Sequence, residues 1–234
     1  MSLMAKFSFW LTKLAARWQK PLKKFNSATP FCKVCFQPIV PSGWHSLTGD
    51  DELICSRCYK AFTPRWISFK VLGVPALALY HYDEAVRSML YQLKGCFDIE
   101  LAGIFLNYAA PYLRTKYRGY TLICAPSAEK KDAIRGFNHV EEIFRCLHLP
   151  MVKAIAKTDD IKQADLNYRD RQKVGDYLAW RKGVKIQGEK ILLVDDVHTT
   201  GATLKACVKL IQKHQPKRLK ILVMSKTPEL SVAR

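Results

Sequence analysis

Acidic residues are what this chain is short of. Twenty Asp and Glu stand against thirty-eight Lys and Arg, a formal net charge of +18. The first thirty residues hold six basic side chains and no acid, and Val197–Pro228 hold seven basic residues and no acid. That imbalance favours a polyanionic partner, nucleic acid or an anionic membrane surface, through phosphate contacts and counterion release. A simpler reading, charge kept for solubility or for phosphate-bearing small ligands, competes with it. Long apolar runs are also missing: none reaches eighteen residues, so no segment should span a membrane. The N-terminus lacks the basic, apolar, small-residue order of a secretory signal. The expected location is therefore the cytoplasm, including the inner face of the membrane, where the eight cysteines stay reduced and serve metal binding ahead of disulfides. Internal repeats and low-complexity tracts are absent. What is present is a chain of 234 residues, 49% hydrophobic and 11% aromatic, enough for one packed α/β domain and a smaller unit.

The chain divides into three parts. Residues 1–30 read as a basic amphipathic arm: Phe7, Trp10, Leu11, Leu14 and Trp18 recur at helical spacing with Lys6, Lys13, Arg17 and Lys20 between them, and Pro21 ends the helix. Such an arm can touch a membrane periphery or a partner, or pack its aromatics on the domain. Residues 31–62 have too few apolar side chains for a core of their own and need a staple. A hinge-like stretch with Pro64, Gly73 and Pro75 leads into a third part, residues 70–228. There the pattern predicts strands at 76–82, 120–125, 151–156, 190–194 and 219–224, and helices at 83–93, 99–113, 138–147 and 202–214. Short β-branched runs between helices imply a mostly parallel sheet with helices on both faces.

The staple is legible in the cysteines. Cys32-Lys33-Val34-Cys35 and Cys55-Ser56-Arg57-Cys58 are two C-x2-C knuckles, nineteen residues apart. Two knuckles complete a closed tetrahedral sulfur site for structural Zn2+, leaving no open position for catalysis. Lys33 and Arg57 inside the knuckles would offset the negative charge of the site. Buried thiol pairs and a redox CxxC are the competing readings, and His45 could replace one thiolate. Cys96, Cys124, Cys146 and Cys207 sit singly in apolar contexts and read as core fillers.

The sharpest local signal is Ile191–Thr203, ILLVDDVHTTGAT. Ile191–Val194 is a continuous apolar strand suited to the middle of a parallel sheet. Asp195 and Asp196 follow at its carboxyl end, where open α/β sheets bind ligands. Ionised, they only accept hydrogen bonds, which suits vicinal hydroxyls and a hydrated Mg2+. Thr199, Thr200, Gly201, Ala202 and Thr203 then bring small side chains, a glycine and hydroxyls to the start of a helix, where backbone N–H groups can cradle an anion. A plain N-cap turn would explain one threonine but not the acid pair. Upstream, the strand 120–125 runs into Pro126-Ser127-Ala128-Glu129-Lys130-Lys131, then Arg135-Gly136-Phe137-Asn138.

An apolar run, two acids, two residues, Thr-Thr-Gly and a later Thr resemble the signature of the type I phosphoribosyltransferases. The resemblance implies that Asp195 and Asp196 bind ribose hydroxyls, that Thr199–Thr203 hold the 5-phosphate, and that the loop with Ser127, Lys130, Lys131 and Arg135 grips pyrophosphate. The order of pieces narrows it: the four-cysteine module, Tyr91-Gln92-Leu93-Lys94-Gly95, Arg135-Gly136-Phe137-Asn138, Gln163-x2-Leu166-x4-Arg171 and VDDVHTTGAT resemble the ComF family of competence proteins over residues 31–227. The implied fold is α/β, type I phosphoribosyltransferase-like, a mostly parallel sheet flanked by helices with a small N-terminal zinc module. The implied function is binding of phosphoribosyl pyrophosphate or a related ribose 5-phosphate, with Mg2+, in a protein of natural transformation that handles single-stranded DNA. A DNA-uptake helicase and other competence proteins are the expected partners. The arm before Cys32 is longer than in many members, and His198 stands where bulkier apolar residues or Tyr are common.

Two functions of different class follow. One is an active phosphoribosyltransferase, with Asp195 and Asp196 in the catalytic centre and Lys94 among the ligand-binding residues; no element dedicated to reading a base is evident. The other is a phosphate-binding module in DNA uptake. Nucleic-acid contacts are expected from Lys205 and Lys209, which with Lys213 form a stripe opposite Leu204, Val208 and Ile211, and from Arg169 and Arg171 in the polar loop 159–177. That loop, with Lys162, Gln163 and Lys173, would lie where a lid covers pyrophosphate. Trp44, Trp66 and Tyr59 near the cysteine unit are candidates for base stacking or for packing.

Overall fold

The computed structural model describes residues 30–39, 53–61, 64–106, 108–157 and 178–228. Contacts divide the chain into Met1–Pro30 and Phe31–Arg234, and everything below concerns the second unit. The expected arm 1–30, Trp44, His45 and the lid residues Lys162, Gln163, Arg169, Arg171 and Lys173 lie outside the described residues.

The hinge-like stretch proves to contain a strand. β1 (Ile67–Val71) pairs antiparallel with β2 (Val74–His81), in register from Ile67 opposite Ala78 to Val71 opposite Val74. Leu72 and Gly73 form the turn at φ 48° and 80°, the pair of positive φ values that a two-residue type I′ hairpin requires. Gly73 and Pro75 are thus hairpin punctuation, and Pro75 is tolerated near the start of a strand.

Helix α1 (Ser56–Ala61) grows out of the second cysteine knuckle. α2 (Glu84–Gly95) starts where Asp83 accepts from Val86 N at 3.0 Å, and it buries Val86, Met89, Leu90 and Leu93 at helical spacing. The single helix expected over 99–113 is two pieces: a 3-10 turn Ile99–Ile104 and α3 (Ala110–Lys116). Pro111 is the cause. It lacks an N–H and clashes inside a helix, but fits the first turn of a new one. β3 (Thr121–Cys124), α4 (Glu129–Arg135) and α5 (His139–Arg145) follow. The strand expected at 151–156 is reduced: Met151 makes one parallel bridge to Leu122, and β4 (Ile155–Lys157) pairs antiparallel with β5 (Leu178–Trp180) in a small separate sheet. β6 (Lys190–His198), α6 (Ala202–Lys213) and β7 (Arg218–Lys226) complete the described elements.

The main sheet has the order β1-β2-β7-β6-β3, parallel except for β1. Side chains alternate between its faces. Leu79, Leu192, Val194, Leu222 and Met224 meet Leu93, Leu101, Phe105 and Phe144 on one side. Ala78, Ile123, Leu193, Ile221 and Val223 meet Leu204, Cys207, Val208 and Ile211 on the other. Burial on both faces is why the central strands read as unbroken apolar runs. Cys32, Ile39 and Ile54 of the cysteine unit join the first cluster, so the small unit borrows its core from the sheet domain. Of the single cysteines Cys207 is buried, Cys124 and Cys146 are partly buried, and Cys96 is exposed at the end of α2 rather than filling core. No helix among the described residues is long and apolar enough to cross a membrane.

Candidate functional site

Parallel strands put the carboxyl ends of β3, β6 and β7 on one edge. β6 extends four residues past the apolar run, so Asp195 and Asp196 lie within the strand, with Asp195 opposite Val223. The strand is held this far because β7 is equally long and Ser225 Oγ donates to Asp196 O at 3.3 Å. Ala125 N donates to Val194 O at 2.8 Å, fixing the loop after β3 beside the acid pair. Thr199 and Thr200 are exposed, and Gly201 caps α6 in a left-handed conformation, φ 73°. A Cβ at Gly201 would stand 2.7 Å from His198 Nε2, so the turn needs glycine for its φ and for space. The result is an N-terminus of a twelve-residue helix beside two carboxylates, where Gly201 offers no side-chain cap and Ala202 N makes one long bond to Thr200 Oγ1, 3.4 Å.

Asp196 is buried. Val197 N donates to its Oδ1 at 2.7 Å, while Lys94 and His139 Nε2, the latter at 3.2 Å, face its Oδ2. From there a polar chain runs back to the loop after β3. Arg135 Nη1 lies 3.0 Å from His139 Nδ1 and 3.2 Å from Asp132 Oδ1, and Arg135 Nε donates to Lys94 O at 3.2 Å. Asn138 Nδ2 donates to Ser127 Oγ at 2.9 Å and to Asp132 Oδ2 at 2.8 Å, while Ser127 donates to Asp132. A guanidinium only donates, so His139 Nδ1 accepts from Arg135 and its proton sits on Nε2, aimed at Asp196. Burial, with Lys94 and Arg135 nearby, pushes the His139 pKa down to about 3 and keeps the ring neutral.

The charges at this edge are tuned by burial. Asp195 is raised to about 7 by desolvation, against the pull of Lys94 and Lys157. Lys94 is lowered to about 8 by desolvation, with Asp195 opposing, and Lys157 is lowered for the same first reason. Desolvation is the largest cause of all three shifts, and the opposite charges of Asp195 and the two lysines pull against it. A cavity of about 660 Å3 flanks the loop on the side of β3 away from β6; Ser127, Asp132, Asn138, Lys153 and Arg181 are among its walls, but neither the acid pair nor the threonine loop.

Asp195, Asp196, Thr199, Thr200, Gly201, Ala202, Thr203 and Lys94 thus gather at one sheet edge. Ser127 and Arg135 lie in the chain behind them, with Arg135 committed to protein partners. The segment expected as a pyrophosphate loop folds from Glu129 to Arg135 as α4, with Lys130 exposed on it. Its neighbour Lys131, not Lys130, acts electrostatically on Lys94 and Lys157. Sequence reading missed His139, Asp132 and Lys157. The first two flank the helix-ending Gly136, Asp132 four residues before it and His139 three after at the start of the next helix, whereas Lys157 carried no local signal. Lys205 and Lys209 are exposed on α6 as expected, and Arg169 and Arg171 lie outside the described residues.

The four cysteines Cys32, Cys35, Cys55 and Cys58 bring their sulfurs within 4.8 Å of one another, with Cys35 and Cys55 3.7 Å apart. Tetrahedral thiolate ligands about 2.3 Å from one ion stand about 3.8 Å apart, so the set can hold a metal ion. Burial raises the Cys32 thiol, but amides of Cys35, Cys55 and Val34 outweigh it and lower the pKa to about 6, whereas burial and the neighbouring sulfurs push the Cys58 thiol up. Lys33 pairs with Glu100 at 2.5 Å instead of staying over the sulfurs, and Tyr59 packs edge-on against Tyr108 at 4.4 Å. Both contacts dock the unit on the sheet domain.

Against known proteins, the pattern of the phosphoribosyl transferase domain matches residues 149–232. The competence protein ComFC of Streptococcus pneumoniae is 26% identical over 197 residues, 74% of this chain and 88% of that protein. ComFC of Bacillus subtilis is 25% identical over 129 residues, and there the chain spans 53% of the relative's length. The chain is a relative of the ComFC competence proteins. Its sheet domain is of the type I phosphoribosyltransferase kind, with a four-cysteine unit at its N-terminal side. Solved structures give a looser likeness: a hypoxanthine-guanine phosphoribosyltransferase from Bacillus anthracis at 16% identity and TM-score 0.38, covering 58% of this chain and 75% of that one. A hypoxanthine phosphoribosyltransferase from Staphylococcus aureus follows at 17% identity and TM-score 0.36, covering 56% and 75%.

Proposed function

We propose that this protein binds phosphoribosyl pyrophosphate or a related ribose 5-phosphate and acts with single-stranded DNA in natural transformation, from the cytoplasmic side. The observation that carries the ligand reading is the Asp195–Asp196 pair beside the glycine-started N-terminus of α6, braced through His139 and Arg135 to the loop after β3. In this reading backbone N–H groups and hydroxyls of Thr199–Thr203 take the 5-phosphate. Asp195 and Asp196 accept from the ribose hydroxyls. Lys94, Lys131 and Lys157 face the pyrophosphate, where burial makes each charge count for more than in water. Mg2+ would supply further neutralisation of pyrophosphate, and Zn2+ would sit in the four-cysteine unit.

A second reading, transferase activity, draws on those cations, because a departing pyrophosphate needs positive charge. Its C1–O bond would break as a nitrogen nucleophile bonds C1 and releases its proton. The name of the ComFC relatives and the net charge of +18 support the DNA role.

Asp195→Ala combined with Asp196→Ala should abolish phosphoribosyl pyrophosphate binding in titration calorimetry while the metal content of the four-cysteine unit stays unchanged. Unaltered affinity would refute the site. A pyrophosphate-release assay across bases, ammonia and glutamine, with and without DNA, separates binding from transfer.

A further inference from the structure

A second group of cations lies at the amino ends of the central strands. Lys190 and Arg218 begin β6 and β7 and are direct cross-strand partners. By the two-residue period both share a face with Lys220, the face on which Leu192 and Leu222 are buried. Like charges directly opposite destabilise a strand pair. None of the three is in an ion pair among the described residues. Lys220 lies over Tyr117 and Tyr120, 5.8 and 5.6 Å from the ring centres, so its stem rests on aromatic surface while Arg218 is exposed beside it.

Both of those rings are buried, and the exposed aromatics lie nearer the start of α3. Lys116 donates to Tyr112 OH at 3.1 Å and sits 5.2 Å from its ring centre. Tyr112, 53% exposed, meets Trp66 edge-on at 5.1 Å, and Trp66 is 39% exposed. Trp66 adopts φ 55°, a left-handed backbone that a bulky residue takes only at a cost. The chain holds a large aromatic outward where packing alone would not ask for it.

We propose that Trp66, Tyr112, Lys116, Lys190, Arg218 and Lys220 form the path of a single-stranded nucleic acid. The cations meet backbone phosphates and the aromatic pair stacks bases. The chemistry favours a single strand over a lipid surface, because flat rings paired edge-on beside cations present π faces rather than an apolar wedge. It favours it over a duplex, because bases inside a duplex offer no face to stack. The cations stand apart from the phosphate loops, since Lys190 and His198 are at opposite ends of β6, roughly 26 Å apart at 3.3 Å per residue. Trp66, next to Ile67, is level with the acid pair but three strands across the sheet from it. This inference rests on the DNA part of the proposed function and is independent of the ligand part.

The test uses the full chain and a fluorescent oligo-dT, with anisotropy read across a salt series. The triple variant Lys190→Gln, Arg218→Gln, Lys220→Gln should lose at least tenfold in affinity. Its log–log salt slope should fall by about 2, at about 0.7 per phosphate contact on a single strand. Trp66→Ala with Tyr112→Ala should weaken binding while leaving that slope unchanged, a split that general misfolding would not produce. Phosphoribosyl pyrophosphate affinity should be unaltered in both. Failure of the unmodified chain to bind oligo-dT would sink the DNA reading itself. Retained binding in the triple variant, with loss in Lys205→Gln plus Lys209→Gln, would overturn this path alone. Loss by the triple variant of binding to phosphatidylglycerol vesicles, with oligo-dT binding intact, would assign the surface to membranes instead and overturn the proposal.

Discussion

Asp195 holds the largest conflict between stability and function at the level of single residues. Its carboxyl titrates near 3.9 in an unfolded chain but at about 7 in the folded protein, where burial outweighs Lys94 and Lys157. Between those values the folded state binds more protons than the unfolded one, so stability falls as pH rises from 4 to 7 and stays reduced above. Asp195→Asn removes the ionisation. The variant should be more stable than the parent at pH 8 by up to about 4 kcal/mol, with the difference vanishing near pH 4. Urea denaturation across that range checks it, and parallel stability curves for the two proteins would refute the shift. The same variant should bind phosphoribosyl pyrophosphate poorly, since an amide nitrogen cannot accept from ribose hydroxyls. His139 makes the complementary point: with Arg135 on one ring nitrogen, the other, Nε2, carries the proton and stands 3.2 Å from Asp196.

Elements meet at the junction of β6 and α6, which depends on one glycine and one histidine. Gly201 at φ 73° turns the chain into α6, and the ring of His198, edge-on to Phe69 of β1 at 4.7 Å, fills the space a Cβ would need. Gly201→Ala therefore meets two penalties: about 1–2 kcal/mol for a left-handed L-residue, and the clash with the ring. Affinity for phosphoribosyl pyrophosphate should fall at least tenfold. In a His198→Ala background the same change should cost clearly less, because only the backbone penalty remains. A double-mutant cycle by calorimetry measures this, and additive losses would show that the ring does not brace the turn.

The whole described unit shares one core between the cysteine module and the sheet. Cys32, Ile39 and Ile54 pack with Leu101, Phe105 and Leu106, and Lys33 reaches Glu100. Stripping metal from the four cysteines should therefore lower the melting temperature of the unit as one transition, by about 5 °C or more. Scanning calorimetry with and without chelator checks this. A separate low-temperature transition, leaving the main one in place, would mean the two parts fold independently.

At this scale the sequence by itself determined the α/β class, the parallel centre of the sheet, the cysteine set and the acid-threonine loop. Each rests on local order: unbroken apolar runs, C-x2-C spacing, two acids ahead of Thr-Thr-Gly. Gly73 was visible as a breaker whose outcome depended on what lay across from it, whereas Pro111 stood inside the single helix expected over 99–113 and broke it. Only the tertiary structure decided that Arg135 braces instead of facing solvent, that His139 and Lys157 join the acids, and that Lys190 and Arg218 lie side by side. Those contacts join residues far apart in the chain. Strand register and burial, which no window of sequence contains, bring them together and set their charges.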